Sequence, residues 1–260
     1  MSLRGRVAIV TGATGDIGRA AARRLAAEGA RLVLSDKDPG ALEEVGNDVG
    51  TSGTPPFVAR ADITREDEIQ GAVERALGCY GHIDILVNCA GVSDGCAWGD
   101  TDLREWTRQV AANLTGVFLW CRATTTHMRA RHYGKIVNVA SSAGRYRSSY
   151  FRHKTSHQTG VSYAASHGGV LALTRELAFE LAHDGVYVNA VVPGLIQTGP
   201  FQDEWTRLSE WVRDAILTES SLGRLGRPDE VAAVVSFLAS EASSYITGTA
   251  IDVNGGWWVS

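Results

Sequence analysis

The run Val186-Tyr-Val-Asn-Ala-Val-Val192 constrains this chain most. Its apolar, β-branched residues fall on consecutive positions instead of alternating ones. A strand of that composition has to be buried on both faces, which places it inside a parallel sheet covered by helices on either side. The segment before it, Val161–Leu181, reads as one such helix. Small residues come first (Ala164, Ala165, Ser166, Gly168, Gly169) and require an element packed closely against them. Val170, Leu171, Leu173, Leu177 and Leu181 then recur at helical spacing. Gly185 is placed as the C-terminal cap, and Pro193-Gly194 ends the strand.

Strands and helices alternate through the N-terminal half as well. Val7–Thr11 is a short apolar strand that runs into Gly12-Ala-Thr-Gly15-Asp16-Ile-Gly18 and then an alanine-rich helix ending near Gly29. A glycine turn between a strand and a helix is the setting of a dinucleotide site, because the helix N-terminus offers free N–H groups and the positive end of its dipole to a pyrophosphate. A plain tight turn is the alternative. The second strand, Arg31–Ser35, ends at Asp36. An acid about 20 residues past the turn can accept both hydroxyls of the adenosine ribose and repels a 2′-phosphate, which favours NAD over NADP. Lys37 and Arg19 are nearby cations that soften the preference, and Asp36 could instead only start the turn Asp38-Pro39-Gly40. Phe57–Ala61 is a third strand, ending at Asp62, which is placed to cap a helix over Thr64–Gly78. Ile83–Asn88 and Gly134–Ala140 continue the series. The fold class expected is α/β, a single Rossmann-type domain with a doubly wound parallel sheet and helices on both faces.

The 260 residues, 44% hydrophobic and 21% charged, suit one soluble domain with a sizeable core. A net charge of −4 gives no basic field for nucleic acid or an anionic membrane, and no apolar run is long enough to span a bilayer. No signal-peptide pattern is present, and Cys79, Cys89, Cys96 and Cys121 show no metal-ligand spacing. They read as reduced thiols, mostly core filler, of a cytoplasmic protein with no metal site.

Further motifs follow in order: Asn88-Cys-Ala-Gly91; Asn113-Leu-Thr-Gly116 inside a helix read from Trp106 to Met128; Ser141-Ser142-Ala-Gly144; Tyr163 four residues before His167; Pro193-Gly194 with Thr198; and Tyr245–Gly256. Together with Thr11, Gly12 and Gly18 they span Val7 to Gly256, and in this order they resemble the short-chain dehydrogenase/reductase family. The resemblance implies NAD(H)-dependent interconversion of a secondary alcohol and a ketone, with a small-molecule substrate and a homotetramer or homodimer. It implies that Tyr163 is the acid/base, that Ser141 (or, second choice, Ser142) polarises the substrate oxygen, and that Asn113 bends its helix and supports a proton relay. It places His167 where the family carries lysine. The implied cofactor contacts are Gly12, Thr14, Gly15, Asp16, Ile17 and Gly18 in the turn, Asp36, and Asp62 with Ile63 at the adenine. They continue with Asn88, Ala90 and Gly91, Tyr163 and His167, then Pro193, Gly194, Ile196 and Thr198 toward the nicotinamide. Asp16 replaces the family's middle glycine and is expected to cap the helix with its carboxylate turned from the pyrophosphate.

His167 sets the chemical question. Lowering a tyrosine from ~10 to ~7 takes about 4 kcal/mol of phenolate stabilisation, and the family's lysine supplies much of it. Histidine is mostly uncharged at neutral pH. Three outcomes stay open: an enzyme with a less acidic Tyr163, replacement of the charge by Lys154 or an arginine, or a nucleotide-binding sensor or scaffold without turnover. Relative to the family, Ser141 and Tyr163 are separated by an insertion around 145–160, basic and aromatic (Arg145, Tyr146, Arg147, Tyr150, Phe151, Arg152, His153, Lys154, His157), expected at the substrate pocket or a subunit contact. Tyr150 and Lys154 repeat the Tyr-x-x-x-Lys spacing but lack the amphipathic helix. Residues 199–223 correspond to a substrate lid, with Phe201, Trp205, Leu208, Trp211 and Ile216 at roughly helical spacing; the tryptophans suggest a bulky or ring-shaped substrate. Trp257 and Trp258 are expected to be buried at a tetramer interface.

Overall fold

The computed structural model describes residues 2–50, 55–92, 96–146 and 160–258. Its centre is a seven-stranded parallel sheet of β1 (Val7–Thr11), β2 (Arg31–Ser35), β3 (Phe57–Val58), β4 (Ile85–Asn88), β5 (Gly134–Val139), β6 (Val186–Pro193) and β7 (Ala250–Val253), in the order β3-β2-β1-β4-β5-β6-β7. The sequence runs outward in both directions from β1 and β4, so their carboxyl ends frame a crevice where the connections diverge. Thr11 lies opposite Ser35 on one side and Asn88 on the other, and Asn88 lies opposite Asn138. β6 takes in the run Val186–Val192, and seven of its eight residues are buried.

Side chains alternate between two cores. Val7, Ile9, Val33, Leu86, Ile136 and Val188 meet α3 (Glu66–Tyr80), α5 (Gly116–Ala130) and α6 (Val161–Leu181). Ala8, Val10, Leu32, Leu34, Val87 and Val191 meet α1 (Asp16–Ala27), α2 (Pro39–Gly50) and α9 (Pro228–Ala239). The small residues at the start of α6 have the close neighbours they require. A Cβ on Gly169 would stand 2.6 Å from Leu114, and one on Gly144 would stand 2.5 Å from the Gly168 nitrogen.

Several elements differ from the sequence reading. β3 covers only Phe57–Val58, although the Ala59 and Ala61 amides still donate to Leu34 and Asp36 carbonyls, so the chain continues beside β2 without a regular ladder. The helix after Asp62 starts at Glu66, with Arg65 as its N-cap, so Asp62 does not cap it. Instead Asp62 Oδ1 accepts from the amide and hydroxyl of Thr64 in the turn before it. The Trp106–Met128 helix begins earlier, at Leu103, and has two parts: α4 (Leu103–Val110) passes through a five-residue π turn, Ala111–Thr115, into α5. Gly185, at φ +72°, caps a short 3₁₀ turn over Ala182–Asp184 after α6 has ended. Phe201, Trp205 and Trp211 lie on two helices, α7 (Gly199–Arg207) and α8 (Glu210–Thr218), because the chain turns extended at Leu208 and Ser209 before Ser209 accepts from the Val212 amide.

Of the insertion, Arg145 and Tyr146 are described. Arg145 donates to Asp252 at 3.0 Å, and Tyr146 stacks on Trp258 with centroids 4.9 Å apart. Tyr150, Lys154 and the rest of 147–159 lie outside the described residues. Trp257 donates from Nε1 to Glu219 at 2.8 Å. Both tryptophans therefore have a partner within the chain, and Trp258 keeps 49% of its surface exposed. Of the cysteines, Cys121 is buried and Cys79 exposed, with Cys89 and Cys96 between, so only one is core filler in full. No helix among the described residues is long and apolar enough to cross a membrane.

A buried polar chain ties the central strands to the helix behind them. Asn88 Nδ2 donates to Asn138 Oδ1 at 2.9 Å, Asn138 Nδ2 donates to Thr174 Oγ1 at 3.0 Å, and Thr174 donates to the Val170 carbonyl at 2.8 Å. All three side chains are buried. Asn138→Ala removes the middle member and strands a buried donor on one side and an acceptor on the other. The expected loss is about 2–3 kcal/mol, read as a lower midpoint in urea denaturation at unchanged slope.

Candidate active site

The carboxyl ends of β1, β4, β5 and β6 open into one cleft with a volume of about 410 Å³. Gly12, Gly15, Asp16, Ile17 and Gly18 form one wall, and Cys89 to Val92 follow β4. Val139 to Ala143 follow β5 with Ser141 and Ser142 among them, Tyr163 and His167 look in from α6, and Pro193 to Ile196, Thr198 and Phe201 complete the rim. The structure thus brings Ser141, Tyr163 and His167 to the same cleft as the glycine turn. Thr14, Asp36, Asp62, Ile63, Asn88 and Asn113 are not on this wall. Val92, Ala143 and Leu195 line the cleft and were missed by sequence reasoning; their only signal was adjacency to motif residues.

The turn is shaped for close approach. Gly12 sits at φ +62°, and a Cβ there would meet Ala90 Cα at 2.5 Å; a Cβ on Gly18 would collide with the Gly12 carbonyl. α1 has Gly15 as its N-cap and no side-chain cap. Asp16, the first residue of α1, therefore does not cap it, contrary to expectation; its carboxylate instead accepts from the Gly199 amide at 2.8 Å. The uncapped first turn of α1 and the bare backbone around it fit a diphosphate, which bonds to free N–H groups. Asp36 is held at the end of β2: its Oδ2 accepts from the Thr14 hydroxyl at 2.6 Å and its Oδ1 from the Lys37 amide at 2.7 Å. Arg19 turns toward Asp48 at 3.9 Å. Burial pushes the Asp62 carboxyl up, but the two bonds from Thr64 and the charges of Lys37 and Arg65 outweigh it and leave the group below its ordinary value.

Asn113 sits in the π turn with its side chain committed. Its Nδ2 donates to the Val92 carbonyl and Gln109 Oε1, and its Oδ1 accepts from the Val92 amide at 2.7 Å. It fixes the loop after β4 as the cleft floor. Asn88 gives its Nδ2 to the Asn138 brace, while its buried Oδ1 has no hydrogen-bond partner among the described residues.

Tyr163 and His167 stand one turn apart on α6, with ring centroids 4.3 Å apart. His167 is 8% exposed, and its Nδ1 has no hydrogen-bond partner. Burial drives the imidazole pKa down to about 4, so it is neutral at pH 7. Burial also pushes the Tyr163 phenol above its ordinary value, opposed by a hydrogen bond with Ser141. No lysine or arginine is among the described residues lining the cleft. The site thus offers a protonated phenol, a hydroxyl beside it and a neutral imidazole. Burial pushes the Cys89 thiol up to about 12, so it stays protonated at neutral pH.

The buried imidazole links stability to pH. Its folded pKa is depressed below an unfolded value near ~6.5, so its contribution is fully present above pH ~6.5 and is lost as pH falls toward 4. Up to ~3 kcal/mol separates the two limits. The unaltered protein should lose this much more stability than His167→Gln between pH 6.5 and 4 in matched urea titrations. Equal losses would mean that the ring protonates as freely folded as unfolded.

Comparison with known proteins agrees with this layout. The family model described as enoyl-(acyl carrier protein) reductase matches residues 12–258. A 3-oxoacyl-[acyl-carrier-protein] reductase of Thermotoga maritima is 36% identical over 258 residues, covering 98% of this chain and 99% of that protein. A cis-4-hydroxycyclohexanecarboxylate dehydrogenase of Sinomonas cyclohexanicum is 37% identical over 253 residues, covering 97% and 96%. The crystal structure of levodione reductase superposes with a TM-score of 0.89 at 31% identity, covering 97% of both chains. With matches over nearly its whole length, and with the glycine turn and Tyr163 facing one cleft, the chain belongs to the short-chain dehydrogenase/reductase family of oxidoreductases.

Proposed function

We propose that the protein is an NAD(H)-dependent reductase of ketones to secondary alcohols, working more readily in that direction than in reverse at neutral pH. The observation that carries the reading is the shared cleft: Ser141 and the protonated Tyr163 stand beside His167, opposite the uncapped glycine turn. A nicotinamide dinucleotide held there supplies the hydride. The remaining work falls to the chain. Ser141 donates a hydrogen bond to the substrate oxygen, and Tyr163 gives it the phenolic proton as negative charge develops. His167 offers a ring nitrogen to a ribose hydroxyl but no positive charge. Reduction begins from the phenol and tolerates that; oxidation needs the phenolate and suffers. Gly12, Gly15, Asp16, Ile17 and Gly18, with Thr14 behind them, would hold the diphosphate, Asp62 and Ile63, outside the cleft wall, the adenine, and Ala90, Gly91, Pro193, Gly194, Ile196 and Thr198 the nicotinamide half. Asn88 and Asn113 act indirectly, by holding the floor. The anchored carboxylate of Asp36 supports NAD over NADP, because a 2′-phosphate would meet a negative charge there that Lys37 softens only in part.

The relatives named above act, by their names, on an acyl-carrier thioester, a hydroxycyclohexane acid and levodione. Phe201 on the cleft rim, with Trp205 5.7 Å from it on the same helix, supports a substrate with an apolar ring, and α7–α8 act as its lid. The exposed Phe179, Leu103, Phe118 and Trp106 on α4 to α6 support assembly into a homotetramer or homodimer, placed in the cytoplasm. Light scattering on purified protein tests the assembly, and a monomeric mass at micromolar concentration would end it.

Kinetics test the chemistry with NADH and NADPH on a panel of cyclic ketones and 3-oxoacyl thioesters. Tyr163→Phe should lower kcat by at least about 100-fold. Alcohol oxidation should keep rising with pH beyond 9, and His167→Lys should move its inflection down by about one to two pH units. A plateau of oxidation at neutral pH in the unaltered protein would rule out the weakly acidic tyrosine. Asp36→Ala should shift the NADH/NADPH preference toward NADPH by about tenfold or more. Dinucleotide binding with turnover only in His167→Lys would identify the natural protein as a binding relative without catalysis.

A further inference from the structure

The carboxylate of Asp16 does something that its place in the turn does not require. It reaches across the mouth of the cleft and accepts the Gly199 N–H at 2.8 Å. Asp16 opens α1 and Gly199 opens α7, so the bond joins the wall that faces a diphosphate to the helix that carries Phe201 over the cleft. α7 has no cap of its own: Thr198 stands at its N-cap position without a side-chain hydrogen bond to the helix. α1 is uncapped as well. Two helix N-termini, both short of a local acceptor, thus meet at one carboxylate. A negative charge between two positive helix ends is favourable there, whereas beside a diphosphate and without that contact it would be repulsive.

We propose that Asp16 is the fastening of the lid. Its carboxylate serves as the borrowed N-terminal cap of α7 and straps that helix to the glycine turn, so that a dinucleotide enters and leaves after this bond opens. Asp16 is a positioning residue, and its effect is on passage. The proposal rests on the dinucleotide reading of the cleft for its second half only, since the strap itself exists in the free protein.

The test has two arms on the full chain with Asp16→Ala, Asp16→Gly and Asp16→Asn. Glycine removes the side chain at no steric cost, and asparagine keeps one acceptor oxygen without charge. The first arm is amide hydrogen exchange of the free protein over residues 199–207, with the peptide covering α1 as an internal control for folding. Alanine and glycine should speed exchange in α7 by about tenfold with α1 unchanged, and asparagine should fall between. The second arm is stopped-flow release of NADH, or of NADPH if that binds instead. Release should accelerate by about tenfold in Asp16→Ala and less in Asp16→Asn. Unchanged exchange in α7 would overturn the strap. Faster exchange with unchanged or slower release would overturn its control of passage and leave Asp16 as a charge that only repels the diphosphate. If the unaltered protein binds neither nucleotide, the dinucleotide reading and the passage half fall together, and the exchange arm still decides the strap.

Discussion

Two-sided burial of a parallel sheet governs this molecule. With apolar helices on both faces, the strands have no room for polar chemistry along their length, so such groups gather at strand ends, where chains turn and backbone groups lack partners. The exceptions are joined to one another by hydrogen bonds, as the asparagine pair and Thr174 illustrate between β4, β5 and α6. The carboxyl ends of four adjacent strands then share one opening. Everything chemically active among the described residues, from the glycine turn to the tyrosine, is there because it could not be elsewhere.

Within that opening the electrostatics are unusual for the work proposed. The cleft lining carries one acid, Asp16, and no lysine or arginine among the described residues. An anionic cofactor would therefore be recognised by backbone N–H groups and helix ends, with little help from side-chain charge. The acid/base pair shows the same economy. Burial keeps the tyrosine protonated and the histidine neutral, two shifts with one cause, so the proton needed for reduction is stored without a counter-charge.

The fold was readable because each level of the sequence agreed. The run in β6, the glycine turn after β1 and the small residues heading α6 each demanded a neighbour that the others supplied. The tyrosine and serine were readable by their place in that order. What escaped the sequence was side-chain direction. Asp16 sits in the helix's first turn by sequence, and only the folded chain brings Gly199 to it. Asn113 belongs to a motif, but its commitment to Val92 depends on the π turn, which no local propensity announces. The break between α7 and α8 escaped notice because aromatic spacing says little about the two extended residues, Leu208 and Ser209, that make it. The partners of the tryptophans near the end of the described chain, Glu219 and Tyr146, are distant in sequence and so could not be read from it.

Those partners have a further consequence. Residues 254–258 are bonded at one side to the turn after α8, through Ser220 and Ser221 donating to the Gly255 and Gly256 carbonyls, and at the other to Tyr146, through its stack on Trp258. Residues 254–258 therefore tie the turn after α8 to Tyr146. Substitutions at Ser220 or Ser221 and at Tyr146 would not combine independently. Each would move the ground on which the other stands, and the pair would have to be selected together.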